Sequence, residues 1–381
     1  MRIGIVAPPW VPVPPPRYGG TESVIDRLAR GLAQAGHDVL LAAAANSTCP
    51  VPHVAGTKEA EEDAPLCSDT NTELCHIVKS YKAMTDVEVI HDHTLAGPMF
   101  HRWGRSTPVV TTLHGPFDPT LTPIYGAFRD VSVVAISQHQ AKAAVGVSIA
   151  RVIHHGIDVA AVPEGKGDGG YASFLGRMNP EKAPREAALI ARAAGVPLRM
   201  AAKLREPAEK EYFDAEVKPL LGSDIEYVGE LGEEEKLALV GGSFALLNPV
   251  QWPEPFGLVM IEALATGTPV VATPFGSVPE LIDDGVTGYV RQGEGDLAAA
   301  LLKAASLDRA ECRAVARRRF DIAGMVHKHI ELYTELVSSG PSRNRGVRET
   351  ARVPWLRIGR PQVSSHRPAS VQRPGAQASQ N

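Results

Sequence analysis

The chain has 381 residues, 44% hydrophobic and 22% charged, which describes a soluble globular protein too long for one ordinary core, so two domains are expected. The net charge of −4 hides eight Arg against one acid after Gly340, which leaves the body before it near about −11 and argues against a nucleic-acid groove there. Four cysteines (Cys49, Cys67, Cys75, Cys312) form no CxxC pair, Pro8 and Pro9 interrupt any signal-peptide core, and no apolar run has transmembrane length, so the expectation is a cytoplasmic protein with reduced thiols and neither disulfide frame nor zinc site.

Residues 2–7 read as a buried parallel strand, followed by a proline-rich loop over 8–16. Val24, Ile25, Leu28, Ala29 and Leu32 then recur at helical spacing until Gly36, and 37–43 is the second strand. This opening is Rossmann-like, yet it lacks GxGxxG in its first turn, which disfavours a dehydrogenase dinucleotide site. Gly19 and Gly20 at the helix start make a weaker anion-binding candidate, with a plain tight turn as the alternative. Strands are expected at 87–90, 109–113 and 132–137, with a helix from Gln138; 46–86 and 116–128 are the least regular segments. His91, His93 and His114 fall at strand carboxyl ends, where open α/β sheets place their ligands. Neighbours along a strand point to opposite faces, so 91–93 cannot chelate a metal as a unit; a hydrogen bond from one of these histidines to a hydroxylated substrate is the better reading.

After a short strand and turn at 151–158, four glycines in 165–170 look like an interdomain linker. A second alternation follows, with strands at 171–176, 197–202, 224–229, 244–250 and 269–273 and a turn with a short strand at 285–290. Helical patterns cover 185–194, 295–305, 308–320 and 324–337. The expected division is an N-terminal lobe over 1–163, a C-terminal lobe over 164–323, a helix over 324–338 packing back toward the first lobe, and a disordered Arg/Pro/Ser-rich tail over 341–381. Eight spread arginines are more often a solvated tail; the alternative is a weak contact with an anionic membrane.

The most informative stretch is 252–264, Trp-Pro-Glu-Pro-Phe-Gly-Leu-Val-Met-Ile-Glu-Ala-Leu. Pro253 and Pro255 put the helix start near Phe256, and Thr266-Gly267 ends it. Amides from Phe256 through Gly257 and Leu258 to Val259 would lack intrahelical partners, and the helix dipole adds positive potential there. Gly257 lets an anion approach the main chain, while Glu254 lies outside the helix and Glu262 about two turns in. A carboxylate on each flank of an anion site suits hydroxyls on both sides of a diphosphate. Arg177 and Lys182, in the loop after the first strand of the second lobe, would add two cations at the same edge. The bland alternative is a capped helix with surface glutamates and solvated cations.

Glu254-Pro-Phe-Gly-Leu-Val-Met-Ile-Glu262 resembles the E-x7-E motif of family 4 retaining glycosyltransferases. Gly176-Arg177 with Lys182, 265–272, 284–288 and Gly19-Gly20-Thr21-Glu22 resemble the same family's other motifs, in order over roughly residues 1–338. The resemblance implies the GT-B fold, two facing Rossmann-like doubly wound parallel-sheet lobes with an interdomain cleft. It implies transfer of a hexose from a UDP- or GDP-linked sugar to an unidentified hydroxyl acceptor (small molecule, glycan or lipid), with no tightly bound cofactor and no metal. Carried over, Arg177 and Lys182 would bind the pyrophosphate, and Glu254 with main-chain groups of Phe256 and Gly257 would hold the hexose. Leu258 and Val259 would meet phosphate, Glu262 the ribose, and Gly19 and Gly20 the diphosphate from the other lobe, with His114 beside the reacting sugar. No nucleophile stands out, so front-side substitution is the implied mechanism. His154-His155-Gly156 stands where many relatives have Asn before Gly. The rival readings are a nucleotide-sugar epimerase of similar build and a sugar-nucleotide-binding protein without chemistry.

Overall fold

The computed structural model describes residues 1–61, 69–101, 106–128 and 130–339. The first lobe alternates β1 (Arg2–Val6), α1 (Gly20–Gln34), β2 (Asp38–Ala42), α2 (Thr70–Ala83), β3 (Val89–Asp92), β4 (Val109–Thr112), α3 (Leu121–Gly126), β5 (Val131–Ala135), α4 (Gln138–Ala143) and β6 (Ile149–Val152). Its six strands are all parallel in the order β2-β1-β3-β4-β5-β6. The second lobe runs β7 (Ala172–Arg177), α5 (Pro184–Ala194), β8 (Leu198–Lys203), α6 (Pro207–Tyr212), β9 (Ile225–Gly229), α7 (Glu233–Gly242), β10 (Ala245–Asn248), α8 (Leu258–Ala265), β11 (Val270–Ala272), α9 (Val278–Leu281), β12 (Gly288–Val290), α10 (Glu294–Ala304) and α11 (Arg309–Phe320). Its order is β12-β11-β10-β7-β8-β9, again all parallel.

Strands covered by helices on both faces must be apolar throughout, and Ile3, Ile5 and Val6 of β1 are fully buried, as are Leu246 and Leu247 of β10. Strand order reverses between β1 and β3 in one sheet and between β7 and β10 in the other. Crevices open at the carboxyl ends of strands at such points. The loops after β1, β3, β7 and β10 carry Gly19, His93, Lys182 and Glu254, so topology alone draws these residues toward one region.

The chain passes between lobes twice at one place. Ile157 donates its N–H to Phe320 O at 2.9 Å, and Ile322 donates to Ile157 O at 2.9 Å. A Cβ at Gly156 would collide with Asp321 and Ile322, which explains glycine there. The final helix, α12 (Ile322–Ser339), then lies on the first lobe: Met325, Val326, Leu332 and Tyr333 share a core with Ile3 and Leu28. The glycines of 165–170 do not form a loose tether. Gly165, Gly167 and Gly169 donate to Thr266 O, Gly241 O and Gly242 O at 2.9–3.0 Å, and a Cβ at Gly165 would run into Gly241.

Three expectations change. Segment 46–86 contains α2, capped by Asp69, which accepts from Asn71 and Thr72 N–H. Its buried positions are His76, Ile77, Ser80 and Tyr81, two of them polar with no third apolar repeat, so its periodicity is weak. Helix α8 begins at Leu258, not near Phe256, because Gly257 takes the left-handed region at φ 88° and interrupts the helix. Glu262 is therefore little more than one turn in, not two. The tail over 341–381 and Cys67 lie outside the described residues.

Tyr333 is fully buried and its Oη lies 2.6 Å from His91 Nδ1. Tyr333→Ala is expected to destabilise the protein by about 3–5 kcal/mol, read as a fall in the urea midpoint. A change under about 1 kcal/mol would show that α12 does not belong to the first core.

Candidate active site

A cleft of about 600 Å³ opens between the carboxyl ends of the two sheets. Gly19, Gly20 and His114 line it from the first lobe. Arg177, Lys182, Glu254, Phe256, Gly257, Leu258, Val259 and Glu262 line it from the second. The structure thus brings every residue singled out above for the donor or the reacting sugar to one cavity.

Two helix amino ends meet there. A Cβ placed on Gly20, the first residue of α1, would stand 3.3 Å from Leu258 Cδ1, at the first residue of α8. Each end presents amides without intrahelical partners, and the dipoles add, so the space between them favours an anion. Gly19 is extended, and glycine is needed because a side chain would strike Pro15. The 254–256 loop is pinned by Ser277, whose N–H donates to Glu254 O at 2.9 Å and whose Oγ donates to Phe256 O at 2.5 Å. Gly276 must be glycine, since a Cβ would enter the Glu254 backbone. Phe256 turns into the core and meets the His155 ring edge-on at 4.9 Å.

The two carboxylates flanking this point are both held by cations. Glu254 pairs with Lys182, and Trp252 Nε1 donates to its Oε2 at 2.9 Å. Glu262 Oε1 accepts from Lys236 Nζ at 2.9 Å and lies 3.6 Å from Arg27 Nη2, which comes from α1 of the opposite lobe. Burial pushes the Glu262 carboxyl up, but Lys236 and then Arg27 outweigh it and hold it below the usual range. Arg177 is only loosely paired, with Glu181 at 3.4 Å, and its buried Nε has no partner; nor has Asn248 Nδ2, at the end of β10. Both side chains line the cleft and offer donors to a ligand rich in oxygen. Burial, opposed by Arg177, pushes the Tyr18 hydroxyl up to about 12.

The histidines divide. His91 and His93 share a face, rings 4.1 Å apart, but neither lines the cleft. His91 is committed to Tyr333 and to Thr112 Oγ1 at 2.8 Å, and His93 Nδ1 lies 2.9 Å from His114 Nε2. Of the three strand-end histidines, His114 lines the cleft, while His91 and His93 are engaged inside the lobe. Burial lowers His114 to about 4. Among the described residues, no group of three or more His, Cys, Asp or Glu is arranged to hold a metal ion.

Several lining residues were not foreseen. His155 stacks on His114 at 5.2 Å and lines the cleft, and no spacing in the sequence marks it. Lys236 also lines the cleft, and Arg27, which does not, reaches Glu262 from α1; both belong to helices whose solvent faces look ordinary in the sequence. Glu22 was visible only as part of the Gly19–Glu22 segment; it is 7% exposed, and burial pushes its carboxyl up to about 7.

Residues 165–319 match the family model described as Glycosyl transferases group 1, and residues 18–161 match Glycosyltransferase Family 4. The chain is 27% identical over 382 residues to the phosphatidyl-myo-inositol mannosyltransferase of Mycolicibacterium smegmatis, covering 89% of this chain and 95% of the relative. It is 34% identical over 134 residues to the D-inositol 3-phosphate glycosyltransferase of Mycobacterium leprae, covering 32% and 29%. Among solved structures it resembles AviGT4, a glycosyltransferase involved in avilamycin A biosynthesis, with TM-score 0.68, 26% identity and coverage of 89% and 99%. Anabaena HepE, solved with UDP and glucose, shares the fold at TM-score 0.70 and 19% identity, over 88% of this chain and 99% of HepE. Fold and cleft together define a two-lobed glycosyltransferase of the GT-B kind. The chain is a glycosyltransferase whose first lobe matches the family 4 model and whose second lobe matches the group 1 model.

Burial of Glu22 makes stability depend on pH. The folded carboxyl titrates near 7 against an ordinary value of 4.5. Its contribution is therefore fully present below about pH 4.5, declines through that window and is lost above about 7. Glu22→Gln is expected to raise the melting temperature relative to the parent at pH 8 and to lose that advantage by pH 5. An equal shift at both pH values would contradict the burial argument.

Proposed function

We propose that this glycosyltransferase moves a hexose from a UDP- or GDP-linked sugar to a hydroxyl acceptor with retention of configuration. The observation that carries the reading is the pair of opposed helix amino ends, flanked by Arg177 and Lys182 and by one carboxylate on each side. The diphosphate sits between the ends, against the Leu258 and Val259 amides, Gly19 and Gly20. Glu254, with main-chain groups of Phe256 and Gly257, takes the hexose hydroxyls, Glu262 takes the ribose, and His114 stands beside the reacting carbon. The second lobe holds the donor, and the first reads the acceptor. The names of the two relatives favour mannose among hexoses and an inositol ring, free or in a lipid, among acceptors. The reaction then runs in the cytoplasm or against its membrane, where such a lipid and a nucleotide sugar meet.

In the chemical step the bond from the anomeric carbon to the phosphate oxygen breaks, and the diphosphate keeps the electron pair. The acceptor oxygen forms its bond on the same face, and its proton passes to the departing phosphate oxygen. Arg177, Lys182 and the two helix ends stabilise the charge that develops on the diphosphate without a metal ion.

Glu254→Ala is expected to lower kcat by roughly 10²–10³-fold in a transfer assay. Glu262→Ala is expected to weaken donor binding about tenfold, equivalent to about 1.4 kcal/mol, with a smaller effect on kcat. Unchanged turnover in both variants would refute the site. A panel of nucleotide sugars screened by thermal shift identifies the donor, because the bound ligand raises the melting temperature by mass action. Formation of a new sugar nucleotide from donor alone would instead establish epimerisation.

A further inference from the structure

His114 lines the cleft, and only one of its two ring nitrogens has a protein partner among the described residues. Its Nε2 is 2.9 Å from His93 Nδ1, while its Nδ1 has no hydrogen bond to the protein among the described residues. One of the two rings must donate to the other, and which one does so sets what His114 presents to a ligand.

The far side of His93 decides it. That ring is 6% exposed, and its Nε2 is buried without a partner. Burial and the neighbouring imidazoles hold His93 well below its ordinary pKa, so the ring is neutral and carries one proton. On Nε2 that proton would be a buried N–H with no acceptor. On Nδ1 it is donated to His114, and only a lone pair stays unpaired. Orphaned buried N–H groups are the rarer of the two defects.

We infer that His93 is a positioning residue: its Nδ1–H donates to His114 Nε2 and so fixes His114 as the Nδ1–H tautomer, whose proton is offered to the cleft. A further ring packs against each of the two. His91 lies against His93 at 4.1 Å with its ring tilted by 36°, and His155 stacks on His114 at 5.2 Å and 20°. His155 is in turn backed by Phe256 at 4.9 Å.

His114 is then a hydrogen-bond donor to a hydroxyl or phosphate oxygen of the ligand, and not a base. Its cleft nitrogen already carries a proton, so it cannot take the acceptor's proton, which leaves the departing phosphate oxygen as the proton's destination. This consequence rests on the function proposed above; the tautomer is a property of the ligand-free protein and stands apart from it.

The test is a long-range ¹H–¹⁵N correlation on the full chain labelled with ¹⁵N-histidine, with His114 assigned by its disappearance in H114Q. A protonated Nδ1 and a bare Nε2 are expected for His114; the reverse pattern overturns the inference. Kinetics supply a second readout, because the Asn amide nitrogen occupies the place of His Nδ1 and a Leu has no donor. H93L is expected to lower kcat roughly 10²-fold with little change in donor KM, and H93N to restore it to within about tenfold of the parent. Equal kcat in the two folded variants overturns the inference. If the parent protein transfers no sugar, the functional reading fails while the spectrum still decides the tautomer.

Discussion

Two helix amino ends pressed toward each other are the constraint on which the rest of this molecule depends. Like potentials repel, so the approach of the α1 and α8 amino ends at Gly20 and Leu258 calls for negative charge beside them. Glu254 and Glu262 supply it in the ligand-free protein, each balanced by cations from the lobes: Lys182 for the first, Lys236 and Arg27 for the second. A diphosphate entering the same space would meet those cations and amides directly. The carboxylates would then turn from ion pairs toward hydroxyl partners, which two-oxygen acceptors do without leaving a lone pair unmet.

The lobes are joined largely by polar contacts of this kind. Glu230 accepts Tyr18 N–H at 3.1 Å while Arg205 clamps it at 2.7 and 2.9 Å. Glu280 accepts Gln138 and His139 N–H at the amino end of α4 and lies 3.2 Å from His154 Nε2. Burial raises its carboxyl, but His154 and the two N–H groups outweigh this and hold it below the usual range. Exchangeable bonds between carboxylates and donors suit a cleft whose walls must move to admit and release ligands. Apolar contacts add to these: Ile136 and Ile157 join the second lobe's core, Leu258 packs against both cores, and α12 lies on the first lobe.

A file of neutral imidazoles links that returning helix to the cleft. His329 of α12 packs on His91 at 5.2 Å, and the series continues through His93 and His114 to His155. Burial keeps these five rings below the ordinary histidine range, so they behave as aromatic packing with directional hydrogen bonds and not as a cluster of charges. Two of these rings, His114 and His155, line the cleft, while His93, His91 and His329 lie behind them.

The sequence by itself determined the two alternating lobes, the strands that carry the site, and the glycines and prolines around Glu254, because hydrophobic periodicity and backbone restriction are local properties. It also placed Arg177, Lys182 and Gly19-Gly20 at carboxyl edges, since parallel connectivity leaves loops nowhere else to go. It missed α2, whose buried face is partly polar, and set the α8 start one turn's fraction early, because a left-handed Gly257 looks the same as a helical one in a string of letters. Only the tertiary structure decided that α1 and α8 meet tip to tip, that Arg27 reaches Glu262, that the 165–170 glycines zip onto α7, and that His155 lies on His114. Those contacts join residues more than 40 positions apart, and their geometry follows from how elements pack within each lobe and where the two lobes meet.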